Sequence, residues 1–339
     1  MIQKKINILF RISGGRAFEK ELGTGHVYRA MHLAHQLKPN HVFFLIEDYG
    51  KINEILTKHG FKNIYPLKKE INLDCDIKVT IKIIKQKKID ILIVDKFDIN
   101  TKKYVKSMHK LIKTVVIPDV NKIDYDVDLI ANGFIGFENK VTYNRYGTKC
   151  LLGPKYQILN KKFEKNNTSH EKKYTILATF GGFDEHNIVN TLCYKLEKNL
   201  DKITAKIILG AATKKSKKIK FLESKYPKRL QIIQETKNMK KEISHAEFGI
   251  CSGGITTYEF TSLGVPFVII CQYKHQLKTA REWQKRNIAL NFGLPNKQTR
   301  SKIQNLIKKI AENKVLVKPN KSIVDGLGAK RVAHEILKI

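Results

Sequence analysis

Two glycine-rich turns stand where chemistry on a phosphorylated ligand would need them. Gly23-Thr24-Gly25-His26 lies near the start of the 339-residue chain, and Ser252-Gly253-Gly254-Ile255-Thr256-Thr257-Tyr258-Glu259 lies late in it. Each follows a short apolar run with strand character and opens a segment with helical periodicity. Glycines let backbone N–H groups come close to a ligand, and a helix N-terminus adds partial positive charge, so each turn can receive an anion. One turn in each half predicts a ligand carrying phosphate, held between two α/β domains, with His26 at its reactive end.

Each residue has a functional and a plainer reading. His26 opens a helix, where the macrodipole disfavours imidazolium and leaves a neutral ring able to take a proton as a general base; it could equally cap or pack that helix. Arg29, one turn on, could contact the same anion or simply be solvated, and His32 and His35 read as ordinary helix residues. In the later turn Gly253 and Gly254 allow close backbone approach, while Ser252, Thr256 and Thr257 can offer hydroxyls to a diphosphate. Glu259 is placed to accept both hydroxyls of a ribose, as the acidic residue of dinucleotide sites does; its alternative is a capping-box glutamate. Gly181 and Gly182 follow another strand-like run and would bring backbone amides towards phosphate or sugar, whereas Asp184 beside them is as readily a helix cap as a contact. Asp74-Cys75-Asp76 and Asp124-Tyr125-Asp126-Val127-Asp128 precede their elements instead of ending strands. No metal and no cofactor is therefore expected.

The elements that must carry these residues are legible as alternating apolar runs and amphipathic stretches. Strand runs are expected at Ile6–Phe10, Val42–Ile46, Ile91–Asp95, Val115–Ile117 and Leu129–Ala131, then at Thr175–Phe180, Lys206–Leu209, Gln231–Ile233, Phe248–Cys251 and Phe267–Cys271. Strands this apolar, separated by helices, predict parallel sheets covered on both faces, hence an α/β protein of two doubly wound, Rossmann-like domains facing a cleft. Polar residues 161–173 lack periodicity and read as a linker between a first domain, 1–160, and a second, 174–339.

Composition narrows the partners. The formal net charge of +33, from 64 Lys and Arg against 31 Asp and Glu, raises nucleic acid as a partner. Lysine, however, is spread over nearly every polar segment instead of forming one stripe with aromatics, so no specific nucleic acid is expected. An acidic small ligand fits the charge, as does peripheral contact with an anionic membrane surface. Five cysteines without metal-ligand spacing, no signal-peptide pattern and no apolar run of about 18 residues lead to the expectation of a reduced, cytoplasmic setting.

Taken in order, Leu9-Phe10-Arg11, Gly23-x-Gly25-His26-x-x-Arg29, Leu152-Gly153-Pro154-x-Tyr156 with Phe163, Gly181-Gly182-x-Asp184-x-x-Asn187, Asn238-Met239, Ser252–Glu259, Leu263-Gly264-x-Pro266 and His275-Gln276 resemble the GT-B-type nucleotide-sugar proteins. The set is most similar to the UDP-sugar hydrolases of the pseudaminic acid pathway (PseG) and the spore-coat polysaccharide proteins (SpsG), with MurG-type transferases further off. The resemblance implies a UDP-sugar substrate, with UDP on Ser252, Gly253, Gly254, Thr256, Thr257 and Glu259. Sugar or phosphate contacts are implied for Gly23, Gly25, Arg29, Tyr156, Gly181, Gly182, Asp184 and Gln276. It also implies that His26 activates water to cleave the anomeric C–O bond and release UDP. A glycosyltransferase acting on a saccharide or lipid-linked acceptor, and a basic nucleic-acid-binding protein, are the alternatives.

Overall fold

The computed structural model describes residues 5–15, 24–38, 40–50, 52–96, 100–120, 122–164, 171–182, 184–210, 213–314, 317 and 323–339. Gly23 lies outside them. The chain forms two compact units, residues 1–161 with 326–339 and residues 162–325.

The first unit runs β1 (Asn7–Gly15), α1 (Gly25–Gln36), β2 (His41–Tyr49), α2 (Ile52–Lys58), β3 (Ile64–Leu67), α3 (Leu73–Lys87), β4 (Ile91–Asp95), α4 (Thr101–His109), β5 (Lys113–Val116), β6 (Leu129–Asn132), β7 (Lys140–Tyr143) and β8 (Lys149–Leu152). Its sheet has the order β3-β2-β1-β4-β5-β6-β8-β7 and is parallel except for β7, which pairs antiparallel with β8. Alternation along β1 explains the two-sided burial. Ile8, Phe10 and Ile12 enter one core with α1, while Leu9 joins Leu45, Leu92 and Val94 in a second core on the opposite face. The order reverses between β1 and β4, where neighbouring crossovers leave in opposite directions and open a crevice at the strands' carboxyl ends.

The second unit runs β9 (Tyr174–Thr179), α5 (Ile188–Leu196), β10 (Ala205–Leu209), α6 (Lys217–Lys225), β11 (Leu230–Gln234), α7 (Met239–Ser244), β12 (Ala246–Cys251), α8 (Thr256–Leu263), β13 (Phe267–Ile269), α9 (Gln276–Lys285), β14 (Ala289–Asn291) and α10 (Thr299–Ala311). All six strands pair in parallel in the order β11-β10-β9-β12-β13-β14, with the reversal between β9 and β12. Helix α8 ends at Gly264, whose φ of 67° closes the last turn and lets Val265-Pro266 lead directly into β13.

Every expected strand run falls on a strand. β3, β7, β8 and β14 were not foreseen: they are three or four residues long, and β3 contains Pro66. The last helix, α11 (Gly328–Ile336), had been expected in the second domain but packs on α1 of the first unit, burying Val332, Ala333 and Ile336 in that core. Glu335 on α11 accepts from Lys149 Nζ at 2.5 Å. The expected linker is held at both described ends. Phe163 is buried at its start, and Lys172 Nζ donates to the carbonyls of Ser244 and Ala246 near its end. The intervening 165–170 lie outside the described residues.

Candidate active site

At the first reversal point, His26 stands in the first turn of α1 and Asp95 at the carboxyl end of β4, in register with Ile12 of β1. His26 Nδ1 lies 2.5 Å from Asp95 Oδ1. Asp95 is fully buried and is also gripped by Arg29, whose Nε donates to Oδ2 at 2.8 Å and Nη2 to Oδ1 at 2.6 Å. Burial pushes the Asp95 carboxyl up, but the Arg29 guanidinium and His26 outweigh it, so it titrates below the ordinary carboxylate range and is charged near neutrality. An ionised acceptor this close fixes the proton on Nδ1, although Arg29 Nη2 also lies 3.2 Å from that nitrogen. In the neutral ring, Nε2 then carries the lone pair, on a side chain 16% exposed. This is the geometry of an oriented base: a buried carboxylate holds the ring and would stabilise the imidazolium that forms. Arg29, expected at the anion, is engaged with Asp95. His32 is an ordinary packed histidine, held down to about 3 by burial and its histidine neighbours.

A second ionic cluster lies in the same unit. Arg11 Nε and Nη2 each donate at 2.9 Å to the two oxygens of Asp76, Nη2 also reaches Glu47 at 3.2 Å, and Lys96 Nζ donates to Asp76 at 2.9 Å. All four side chains are buried, and they balance in charge. Asp76, one of the paired aspartates tested above as metal ligands, has both oxygens taken by cations. Asp124 pairs with Arg145, and Asp128 with Lys113 and His109.

At the second reversal point the Gly181-Gly182 turn and the Ser252-Gly253-Gly254 turn lie side by side, as the register of Thr179 with Cys251 requires. A Cβ on Gly181 would stand 3.8 Å from Ser252 Oγ. Gly181 has φ +76°, and Gly210 passes so close beneath this turn that a side chain there would collide with the Gly181 and Gly182 backbone. Ser252 and Gly253 are buried; Gly254 and Thr256 are partly exposed at the start of α8, whose N-terminus has no side-chain cap. Glu259 is 9% exposed. Burial pushes its carboxyl up to about 7, with the Thr256 hydroxyl opposing the shift only weakly. An acceptor buried so sparsely bonded is suited to ligand hydroxyls.

Several residues expected at the ligand have partners within the fold. Thr257 is fully buried, donating from Oγ1 to the Gly254 carbonyl at 2.8 Å and accepting from Trp283 Nε1 at 3.0 Å, so it braces the turn instead of facing a diphosphate. Gln276 Oε1 accepts from the N–H of Gly253 at 3.2 Å and of Gln272 at 2.8 Å, tying two loops together. Asp184 accepts from the N–H groups of Ile188 and Val189 at 2.8 and 2.7 Å and is a cap of α5; burial leaves its carboxyl raised despite those donors. Tyr156 sits on a short 3-10 turn after β8, packed against the core of the first unit. Asp95 is not among the candidates named from the sequence. Its signal was a charged residue closing the apolar run Ile91–Val94, the strand that neighbours β1.

Three relatives and two solved structures bear on this arrangement. An uncharacterized protein of Methanocaldococcus jannaschii is 27% identical over 78% of this chain, which spans 56% of that relative's length. The spore coat polysaccharide biosynthesis protein SpsG of Bacillus subtilis is 26% identical over 92% of this chain and 93% of its own. The UDP-2,4-diacetamido-2,4,6-trideoxy-β-L-altropyranose hydrolase of Campylobacter jejuni is 23% identical over 85% of this chain and 99% of its own. Acinetobacter baumannii MurG superposes with a TM-score of 0.62 at 17% identity, covering 98% of this chain and all of that one. The Staphylococcus aureus MnaA–UDP structure gives 0.63 at 11% identity over 98% and 96%. These neighbours show the fold, a GT-B-type pair of Rossmann-like α/β domains. The glycosyltransferase family 28 C-terminal domain matches residues 155–336, more than half of the sequence, and the chain belongs to that family.

Proposed function

We propose that the protein cleaves the anomeric C–O bond of a UDP-sugar, releasing UDP, with water as acceptor and an acetamido-deoxy sugar as the group transferred. The carrying observation is the His26–Asp95–Arg29 arrangement, an oriented base with Nε2 open, in a fold of the glycosyltransferase 28 family. In this reading the second unit holds the nucleotide. The backbone N–H of Gly254 and those at the start of α8 receive the diphosphate, and Glu259 accepts the ribose hydroxyls. The first unit supplies the base. Diphosphate leaves as a stabilised anion, so the reaction asks for a deprotonated nucleophile more than for a protonating acid. His26 Nε2 takes a proton from water as its oxygen attacks C1, and Asp95 stabilises the resulting cation. The substrate class follows the hydrolase relative from Campylobacter jejuni and the spore coat polysaccharide biosynthesis in which SpsG is named.

A transferase using the same base on a saccharide or lipid-linked acceptor is the second reading, favoured by the family match itself. In that case the basic chain would meet an anionic membrane surface peripherally. The proposed setting of either reaction is a reducing cytoplasm, a reading carried by the five free cysteines. No helix among the described residues is long and apolar enough to cross a membrane. The test is UDP release from a panel of UDP-sugars, including acetamido-deoxy sugars, without any acceptor. His26→Ala is expected to lower turnover by about 100-fold or more while leaving UDP affinity nearly intact. Full activity in that variant would remove His26 from the mechanism, and UDP binding without release across the panel would favour the transferase.

A further inference from the structure

The open nitrogen of His26 does not face solvent alone. Asp119, on the segment after β5, places Oδ1 3.9 Å from His26 Nε2, and its side chain is 22% exposed. The position is built. Asn132, at the end of β6, donates from Nδ2 to the Asp119 and Lys122 carbonyls at 3.2 Å each, and Lys122 N–H closes back on the Asp119 carbonyl. Lys122 Nζ approaches the other carboxylate oxygen, Oδ2, at 3.8 Å, which leaves Oδ1 turned to the histidine.

Two acceptors at this spacing define what can sit between them. An oxygen about 2.8 Å from each would see them about 90° apart, close to the angle between the two O–H bonds of water. Water can therefore donate one hydrogen to Nε2 and the other to Asp119 Oδ1. An alcohol has one hydrogen. If it donates to Nε2, as the base requires, it turns lone pairs or carbon towards Asp119 Oδ1, which disfavours binding.

Resting on the hydrolytic reading above, we propose that Asp119 is a second catalytic residue, which with His26 seats the nucleophilic water by both hydrogens and selects water over hydroxyl acceptors. In the step, one O–H bond of water breaks and its proton passes to Nε2, while the oxygen forms a bond to C1. The C1–O bond to diphosphate breaks with its electron pair on UDP. The remaining hydrogen stays on the new sugar hydroxyl, bonded to Asp119.

The experiment is product partition in water–methanol mixtures, with UDP-N-acetylglucosamine and UDP-2,4-diacetamido-2,4,6-trideoxy-β-L-altropyranose as substrates, comparing free sugar with methyl glycoside. Wild type should give free sugar. Asp119→Ala should lower kcat for hydrolysis by about tenfold or more with little change in KM, and raise the glycoside-to-sugar ratio about fivefold or more. Asp119→Asn, which keeps an oxygen acceptor in place, should stay within about twofold of the wild-type ratio. A hydrolysing wild type whose partition is unmoved by Asp119→Ala overturns the water seat alone. Asp119→Asn behaving like Asp119→Ala overturns the acceptor role in favour of a purely charge-based one. A wild type silent on both sugars, or one making only methyl glycoside, overturns the hydrolytic reading and the seat with it.

Discussion

At the scale of residues, the proposed chemistry depends on which carboxylates are charged. Asp95 is ionised because Arg29 and His26 offset its burial, and its charge sets the tautomer of His26. Asp95→Asn keeps the shape but removes the charge that holds the proton on Nδ1. Turnover is expected to fall by about 100-fold to 10,000-fold with UDP affinity unchanged, measured by steady-state kinetics beside a binding titration. Glu259 is the opposite case, a carboxyl raised by burial from 4.5 to about 7. Its neutral form suits the folded state, so its contribution to stability is complete below pH 4.5 and is lost as pH rises through about 7. That loss is on the order of 3 kcal/mol. Relative to Glu259→Gln, wild type should therefore lose stability between pH 4.5 and pH 8, as followed by urea unfolding. Ribose hydroxyls favour the ionised form, so UDP affinity relative to the same variant should rise over that window. A pH-independent difference in both measurements would detach Glu259 from the ribose.

At the scale of elements, the second glycine turn is shaped by the side chains packed behind it. A Cβ on Gly253 would stand 2.8 Å from the Cβ of Gln276, and Thr257 links the turn to the buried indole of Trp283. Thr257→Val is nearly isosteric yet leaves the Trp283 N–H without its acceptor. It is expected to cost about 1–3 kcal/mol in thermal or urea unfolding and to weaken UDP binding through the loosened turn. Unchanged stability would mean that the turn is held by other contacts. This division of labour explains what was legible in the sequence. The strand-turn-helix positions of His26, Gly181 and Ser252 could be read because apolar runs and glycines mark them locally. The roles of Thr257, Gln276 and Asp95 could not, because each depends on a partner far along the chain: Asp95 lies 69 residues from His26, Thr257 lies 26 from Trp283, and Gln276 lies 23 from Gly253. Short strands such as β7 and β14 carry too little periodicity to announce themselves.

At the scale of the whole molecule, the chain returns to its first unit at the end. Val332 and Ile336 of α11 are fully buried against the first core, Ala333 nearly so, and a side chain on Gly328 would collide with the Gln157 backbone. The match of residues 155–336 thus includes a helix that completes the other unit. A chain ending at Asp325 is expected to destabilise the first unit by about 4 kcal/mol, from the exposed aliphatic surface. Unfolding monitored separately in the two units should show the second little affected; equal loss in both would contradict the division.

The central claim is that bond cleavage occurs at the anomeric carbon, by water that His26 activates. It is tested most directly by turnover in ¹⁸O-labelled water with mass analysis of both products, for wild type and His26→Ala. Label is expected in the sugar hydroxyl and none in UDP, with both products formed about 100-fold or more slowly by the variant. Label in the UDP phosphate, or undiminished labelling of the sugar by His26→Ala, would contradict that claim.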